Sequence, residues 1–343
     1  LAEQSEAVIC DNTELEFIAP ELTDLASTQR LEVGVDGKQM VPTNWSFGQT
    51  CQLAGAPKSY IETLPSQIAS DCLTWSMKKH RRIEKVKPYV NLETRELRAV
   101  TGPDYGRIHD HEIVRYVREM TESNGSTWKV PGVMADGRNY DPHIPVTKET
   151  TTLFASDRDV FLFLVDDLNP IEIGELPSGE PDLMFRGFYV GNSEVGRRTL
   201  SIATMYLRAV CCNRILWGVE GFKEISIRHA KFAPDRFLYE AKPALTQYAE
   251  GRVDDILSAV NNAKAARVAS DNDEALVWLK NRNFSGKRAK EILSIHEQEE
   301  GRPARTVWDM TQGITAYART IPHNDVRLDV EKQAAQVLEK IAA

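Results

Sequence analysis

The chain has 343 residues, 42% of them hydrophobic and 27% charged, with a formal net charge of -8. That is ample length for a substantial core plus a smaller subdomain, in an ordinary globular composition, and no apolar run approaches the roughly 18 residues of a membrane span. Glu3 and Glu6 stand where a leader would be basic, so a cytoplasmic protein with no membrane partner is expected. The five cysteines, Cys10, Cys51, Cys72, Cys211 and Cys212, are odd in number and lack CxxC spacing, which argues against a disulfide framework or structural zinc.

Residues 1–45 are acidic and only intermittently apolar, and read as a flexible N-terminal arm. A core domain is expected over 46–233. It opens with short helices from Ser46, Pro57 and Pro65, with Ser46 as an N-cap. The third ends in Lys78-Lys79-His80-Arg81-Arg82, cations that a helix C-terminus favours in any case. Tyr89–Leu92 and Leu97–Val100 flank a polar turn, the pattern of a hairpin. Asp110 then caps a helix with Ile113, Val114, Val117 and Met120 on its apolar side. His109-Asp110-His111-Glu112 has metal-ligating chemistry, but neighbours at a helix start point in different directions, which favours capping over convergence on one ion.

Residues 123–148 form a long Gly/Pro/Asn/Asp-rich loop carrying Trp128, which reads equally as a buried anchor or a base-stacking residue. The run VFLFLV (160–165) is apolar on both faces and reads as an interior strand, ended by Asp166 and Asp167, whose carboxylates suit a turn better than a metal. Residues 185–218 hold the densest pattern. Phe185, Phe188 and Val190 lead into Gly191-Asn192-Ser193-Glu194-Val195-Gly196 and then a β-rich Thr199–Leu207, a hairpin whose Gly-bracketed tip is expected to be exposed. Asn192, Ser193 and Glu194 are therefore a candidate loop site. Cys211 and Cys212 face opposite sides of a strand and read as inert, with His229 the nearest base in the chain. From about Pro234 to residue 343 the periodicity is helical, a region expected to be separable.

Charge is uneven. Residues 76–118 carry 11 Lys/Arg against 6 Asp/Glu, and residues 185–242 carry 10 against 5, inside an acidic chain. If they adjoin, they form the electrostatic footprint of a phosphate-binding face, with Lys78, Lys79, Arg81, Arg82, Lys85, Arg186, Arg197 and Arg198 as candidate nucleic-acid contacts. A set of solvated surface charges is the bland alternative.

Asn192-Ser193-Glu194-x-Gly196, followed by a strand and Arg208-x-Val210-Cys211-x-Asn213, resembles the N-S-E/D-x-G and R-x-V-C-x-N-G pattern of a family of phage- and plasmid-encoded proteins known only as a domain of unknown function. Arg214 departs from it, standing where the family has glycine. Weaker likeness reaches Leu53–Tyr60, Arg98-Ala99-Val100 with Tyr105-Gly106, and Trp308–Tyr317 with Arg327. The expected fold is α+β: a mostly antiparallel sheet core flanked by N-terminal helices, with a helical C-terminal region. The resemblance and the two basic segments together imply a non-enzymatic nucleic-acid-binding protein of a mobile element, binding or annealing single-stranded DNA in recombination as a homo-oligomer, without cofactor or metal. A metal-dependent enzyme using Asp166, Asp167, His109 or His111, and a structural, partner-binding protein, stay open as alternatives.

Overall fold

The computed structural model describes residues 5–20, 31–79, 84–123, 128–129, 154–155, 158–166, 169–209, 214–215, 225–241, 243, 254–322 and 324–342. The architecture is α+β, as expected, but two sheets share the work assigned to one. The first contains β1 (Ser5–Ala7), β2 (Cys10–Asp11), β3 (Glu16–Ile18), β4 (Glu32–Val35), β5 (Lys38–Pro42), β6 (Lys85–Asn91) and β7 (Glu96–Thr101), in the order β1-β6-β7-β5-β4-β3 with β2 also on β6. All its pairings are antiparallel except β5 with β7.

The described part of residues 1–45 is therefore not an arm. Phe17 and Val33 lie opposite one another in the β3–β4 ladder and both are buried, while Glu16 and Glu32 sit beside them towards water. Each strand is so short that one or two apolar side chains suffice, and the acidic neighbours dominate the composition. Helices α1 (Asn44–Leu53), α2 (Lys58–Ile61) and α3 (Ser66–Lys79) cover one face of this sheet, burying Cys51, Leu73 and Met77 against Val86, Val90 and Leu97. Thr43, not Ser46, caps α1: its hydroxyl accepts the Ser46 N–H.

After α4 (Asp110–Ser123) comes the second sheet: β8 (Trp128–Lys129), β9 (Phe154–Ala155), β10 (Val160–Asp166), β11 (Ile171–Glu175), β12 (Pro181–Asn192), β13 (Leu200–Arg208), β14 (Arg214–Ile215) and β15 (Ile225–Ile227). Its order is β14-β13-β12-β10-β8, with β9 on β10, β11 on β12 and β15 on β13, all antiparallel. The expected hairpin is β12–β13, and VFLFLV is β10, buried on both faces. Phe188, Val190, Leu162 and Leu164 pack under α4 through Ile113, Tyr116 and Val117, the i, i+3, i+4 spacing of one helical stripe. Phe161, Phe163, Tyr189 and Met205 face the other way.

The C-terminal region is helical: α5 (Ala233–Arg236) running into a π-helical turn (Phe237–Ala241), α6 (Asp254–Ala265), α7 (Asn272–Lys280), α8 (Gly286–Glu300), α9 (Val307–Arg319) and α10 (Asn324–Ala342). It is not a unit apart. Ile171, Ile173, Met184, Tyr206 and Ile215 of the second sheet belong to the same apolar core as Ile256, Leu279, Ile292 and Ile314 of the helices, and Leu328 and Ala335 of α10 cover the Phe163 face. A buried ion network reinforces the join: Arg208 Nε donates to both Asp182 oxygens (2.8 and 3.1 Å) and its Nη1 to Glu300 of α8 (2.5 Å). Among the described residues no helix is long and apolar enough to cross a membrane.

Candidate functional site

The turn between β12 and β13 was expected to be a solvent-facing tip. It is buried instead, with Asn192, Ser193 and Glu194 at 1%, 0% and 7% exposure. Of the two bracketing glycines only Gly196 uses its freedom, at φ +84°, while Gly191 continues the strand opposite Phe161. The turn is driven against the first sheet, where Tyr89 and Ala99 pack on Val195 beside Trp45 of α1. A turn buried this way needs protein partners for its backbone polar groups. Trp45 Nε1 and Gln49 Nε2 of α1 each donate to the Val195 carbonyl at 2.9 Å. Tyr105 Oη donates to the Ser193 carbonyl (3.0 Å), Arg107 Nε to the Glu194 carbonyl (2.7 Å), and Ser193 Oγ to the Arg158 carbonyl (2.7 Å).

Around this scaffold the side chains form a polar hub at the junction of the two sheets. Glu194 Oε2 accepts from Arg98 Nη1 at 2.9 Å, and Oε1 accepts the Asp110 N–H at 3.0 Å, at the start of α4. His109 Nδ1 lies 3.4 Å from the same Oε1, too loose to count as a hydrogen bond. Asn192 Nδ2 donates to the Ile108 carbonyl (2.9 Å) and to Asp110 Oδ1 (2.7 Å). The buried Arg107 guanidinium lies 3.8 Å above the Tyr89 ring, and Tyr105 stacks on His229, whose Nδ1 is 3.1 Å from the Gly106 carbonyl.

The two carboxyls are driven apart. Burial alone would raise Glu194, but the His109 contact, the Asp110 amide and Arg98 together bring it down to about 2. Asp110 goes up to about 6, first through burial and then through the neighbouring Glu194 charge, opposed by the Asn192 hydrogen bond. Burial also lowers Arg107 and His229. Several buried atoms here have no hydrogen-bond partner, among them Arg107 Nη2, Asn192 Oδ1 and His109 Nδ1. Such a concentration of unsatisfied groups marks a place where water or an ion completes the structure.

The His109–Glu112 stretch behaves in two ways. Asp110 turns to Asn192, and Glu112 reaches back to the His109 N–H (3.2 Å), as capping predicts. The His109 and His111 rings, however, converge at 5.4 Å between centroids, beside Glu194. The sequence marks each of the three residues singly but not as a trio, because Glu194 is distant in the chain. Asp166 accepts from Asn169 Nδ2 (2.8 Å), the turn geometry expected for it.

The candidate nucleic-acid contacts divide. Arg198 Nε is 3.2 Å from Asp159, its guanidinium over Phe161, and Arg197 lies over the Trp45 ring at 5.5 Å. Arg186, half-buried, is in register with Tyr206 in the middle of β12. Lys78 and Lys79, at the end of α3, and Lys85, at the start of β6, are exposed. Beside the first two stands Trp75, 62% exposed, with Lys79 Nζ 6.0 Å from its ring centroid, and Ile68 is exposed two turns earlier. The spacing of Ile68, Cys72, Trp75 and Met77 predicts an inward apolar stripe; Met77 is buried with Ala69 and Leu73, whereas Ile68 and Trp75 lie on the opposite face, in water. Phe232, 64% exposed with Lys231 5.7 Å from its ring, repeats the aromatic and lysine pairing near α5. Arg81, Arg82, Cys211 and Cys212, Asp167 and most of the 123–148 loop lie outside the described residues.

No curated protein and no solved structure matches this chain. A family model described as Domain of unknown function (DUF932) matches residues 98–340, which span the turn, both basic arginines after it, Arg208 and the helical region, so the chain belongs to that family.

Proposed function

We propose that this protein binds single-stranded nucleic acid, DNA in the first instance, through the exposed end of α3, and that it works in the cytoplasm as a homo-oligomer in strand binding or annealing. The observation that carries the reading is Trp75, a large aromatic ring left in water beside Lys78 and Lys79. A ring in that setting stacks a base while the ammonium groups neutralise adjacent phosphates, and every base has a face to stack, so sequence preference is weak. The chain continues from there into His80-Arg81-Arg82, and Lys85 follows. Lys231 with Phe232 supplies a second element of the same chemistry. Arg197 and Arg198, with Trp45 and Asp159 as neighbours, contribute less to such a surface than their charge suggests.

The test is fluorescence anisotropy with labelled single-stranded DNA, duplex DNA and single-stranded RNA over a salt series. Trp75→Ala is expected to weaken single-strand binding by about 1–3 kcal/mol, roughly 5- to 150-fold. Lys78→Ala with Lys79→Ala should lower the salt slope by at most about 1.4, at roughly 0.7 per lost phosphate contact. Absence of binding at low salt, or full affinity in folded Trp75→Ala, would overturn the reading.

A further inference from the structure

We infer that His109, His111 and Glu194 form a binding site for a divalent transition-metal ion of the zinc class, independent of the nucleic-acid surface on α3. Each offers one ligand atom, and these atoms lie within 4.8 Å of one another. Two imidazoles and a carboxylate suit Zn²⁺ and its neighbours, whereas Mg²⁺ and Ca²⁺ favour all-oxygen sets. Bonds of roughly 2.0–2.2 Å place tetrahedral ligand atoms about 3.3–3.6 Å apart, so the trio is slightly open. His111 is exposed and closes the gap by rotating its side chain.

The surroundings fit a held ligand set. Glu194 is fixed through Oε2 by Arg98 and through Oε1 by the Asp110 amide, so the carboxylate is oriented before any ion arrives. Its charged form is the one these donors favour. His109 Nδ1 is buried, has no hydrogen-bond partner, and is directed at Oε1, 3.4 Å away. A metal bound between them satisfies that nitrogen, which the protein alone leaves unpaired. Three protein ligands leave a coordination position on the exposed His111 side, the arrangement in which a metal keeps a bound water.

The experiment uses the full chain, stripped with a chelator and titrated with Zn²⁺ against a chromophoric competitor, with Co²⁺ absorption as an independent report on the ligand set. One equivalent is expected to bind saturably. His111→Ala, at an exposed position that spares the fold, should weaken binding at least 10-fold and change the Co²⁺ spectrum, whereas Glu119→Gln, an exposed carboxylate further along α4, should change neither. Glu194→Gln should also weaken binding, and if it fails to fold, His111→Ala decides. Lack of one-equivalent binding, or Zn²⁺ affinity unchanged in His111→Ala, overturns the assignment.

Discussion

Replacing Arg208 with methionine tests how the helical region is joined to the sheets. The guanidinium, on a side chain 5% exposed, contacts Asp182 at 3% and Glu300 at 18%. Methionine retains much of the apolar stem, so the cavity is small and the loss is chiefly electrostatic. Removing one member of a buried ion pair costs about 3–5 kcal/mol, because the partner is left charged and unpaired. The lower end applies here. Lys264 lies close enough to Asp182 to feel its charge, and its Nζ donates to the Ile173 carbonyl at 2.5 Å, so a second cation is at hand. A loss of about 3 kcal/mol is about two orders of magnitude in the folding equilibrium constant and a large share of the 5–15 kcal/mol of a typical domain. Urea denaturation followed by far-UV circular dichroism measures it, with an unchanged m-value as the check on two-state behaviour. Adding Asp182→Leu and Glu300→Gln should restore most of the loss, since the charges that methionine strands are then gone. A loss below about 1 kcal/mol for Arg208→Met alone would refute the reasoning, because an exposed pair behaves that way and a buried one does not.

Gly106→Ala should destabilise by about 1–3 kcal/mol, the range for overpacking, since a Cβ there would stand 1.9 Å from the Ala230 carbonyl oxygen; a urea-derived loss under about 0.5 kcal/mol would show that the loop yields freely. His296, 1% exposed in α8, is held below its ordinary value of 6.5, first by burial and with Asp309 opposing. Its folded pKa is depressed, so its contribution is complete above about pH 6.5 and shrinks as the pH falls and the unfolded chain takes up the proton first. His296→Leu should therefore lose less stability than the parent between pH 7.5 and 5.5, and parallel losses would contradict this. Light scattering of the purified chain with and without single-stranded DNA should give oligomeric masses, because one protomer covers only a few nucleotides; a strictly monomeric mass in both would remove annealing from the proposed function.

Local pattern alone was enough to draw the β12–β13 hairpin, the buried β10 and helices α6 to α10. In each, the residues that carry the signal lie within one period of a strand or helix, so apolar spacing reports the element whatever packs on it. The seven-residue run of β10 and the 113, 116, 117 stripe of α4 are of this kind. The strands of residues 5–42 are not. With two to five residues each, they are too short to show alternation, and they exist through pairing: β1 and β2 on β6, β1 across more than 80 residues, β5 in parallel on β7, and β4 and then β3 built outward from β5. The exposure of the Asn192–Gly196 turn was likewise misread. Glycine and polar residues announce a turn, but only the first sheet decides whether that turn meets water. Its polar groups accept burial because Trp45, Gln49, Arg98 and Arg107, all from the first half of the chain, supply the donors. The His109, His111 and Glu194 trio depends on the same docking. Two imidazoles two residues apart carry no metal signature until a carboxylate some 85 positions later is packed between them and Arg98, and that is a property of tertiary structure.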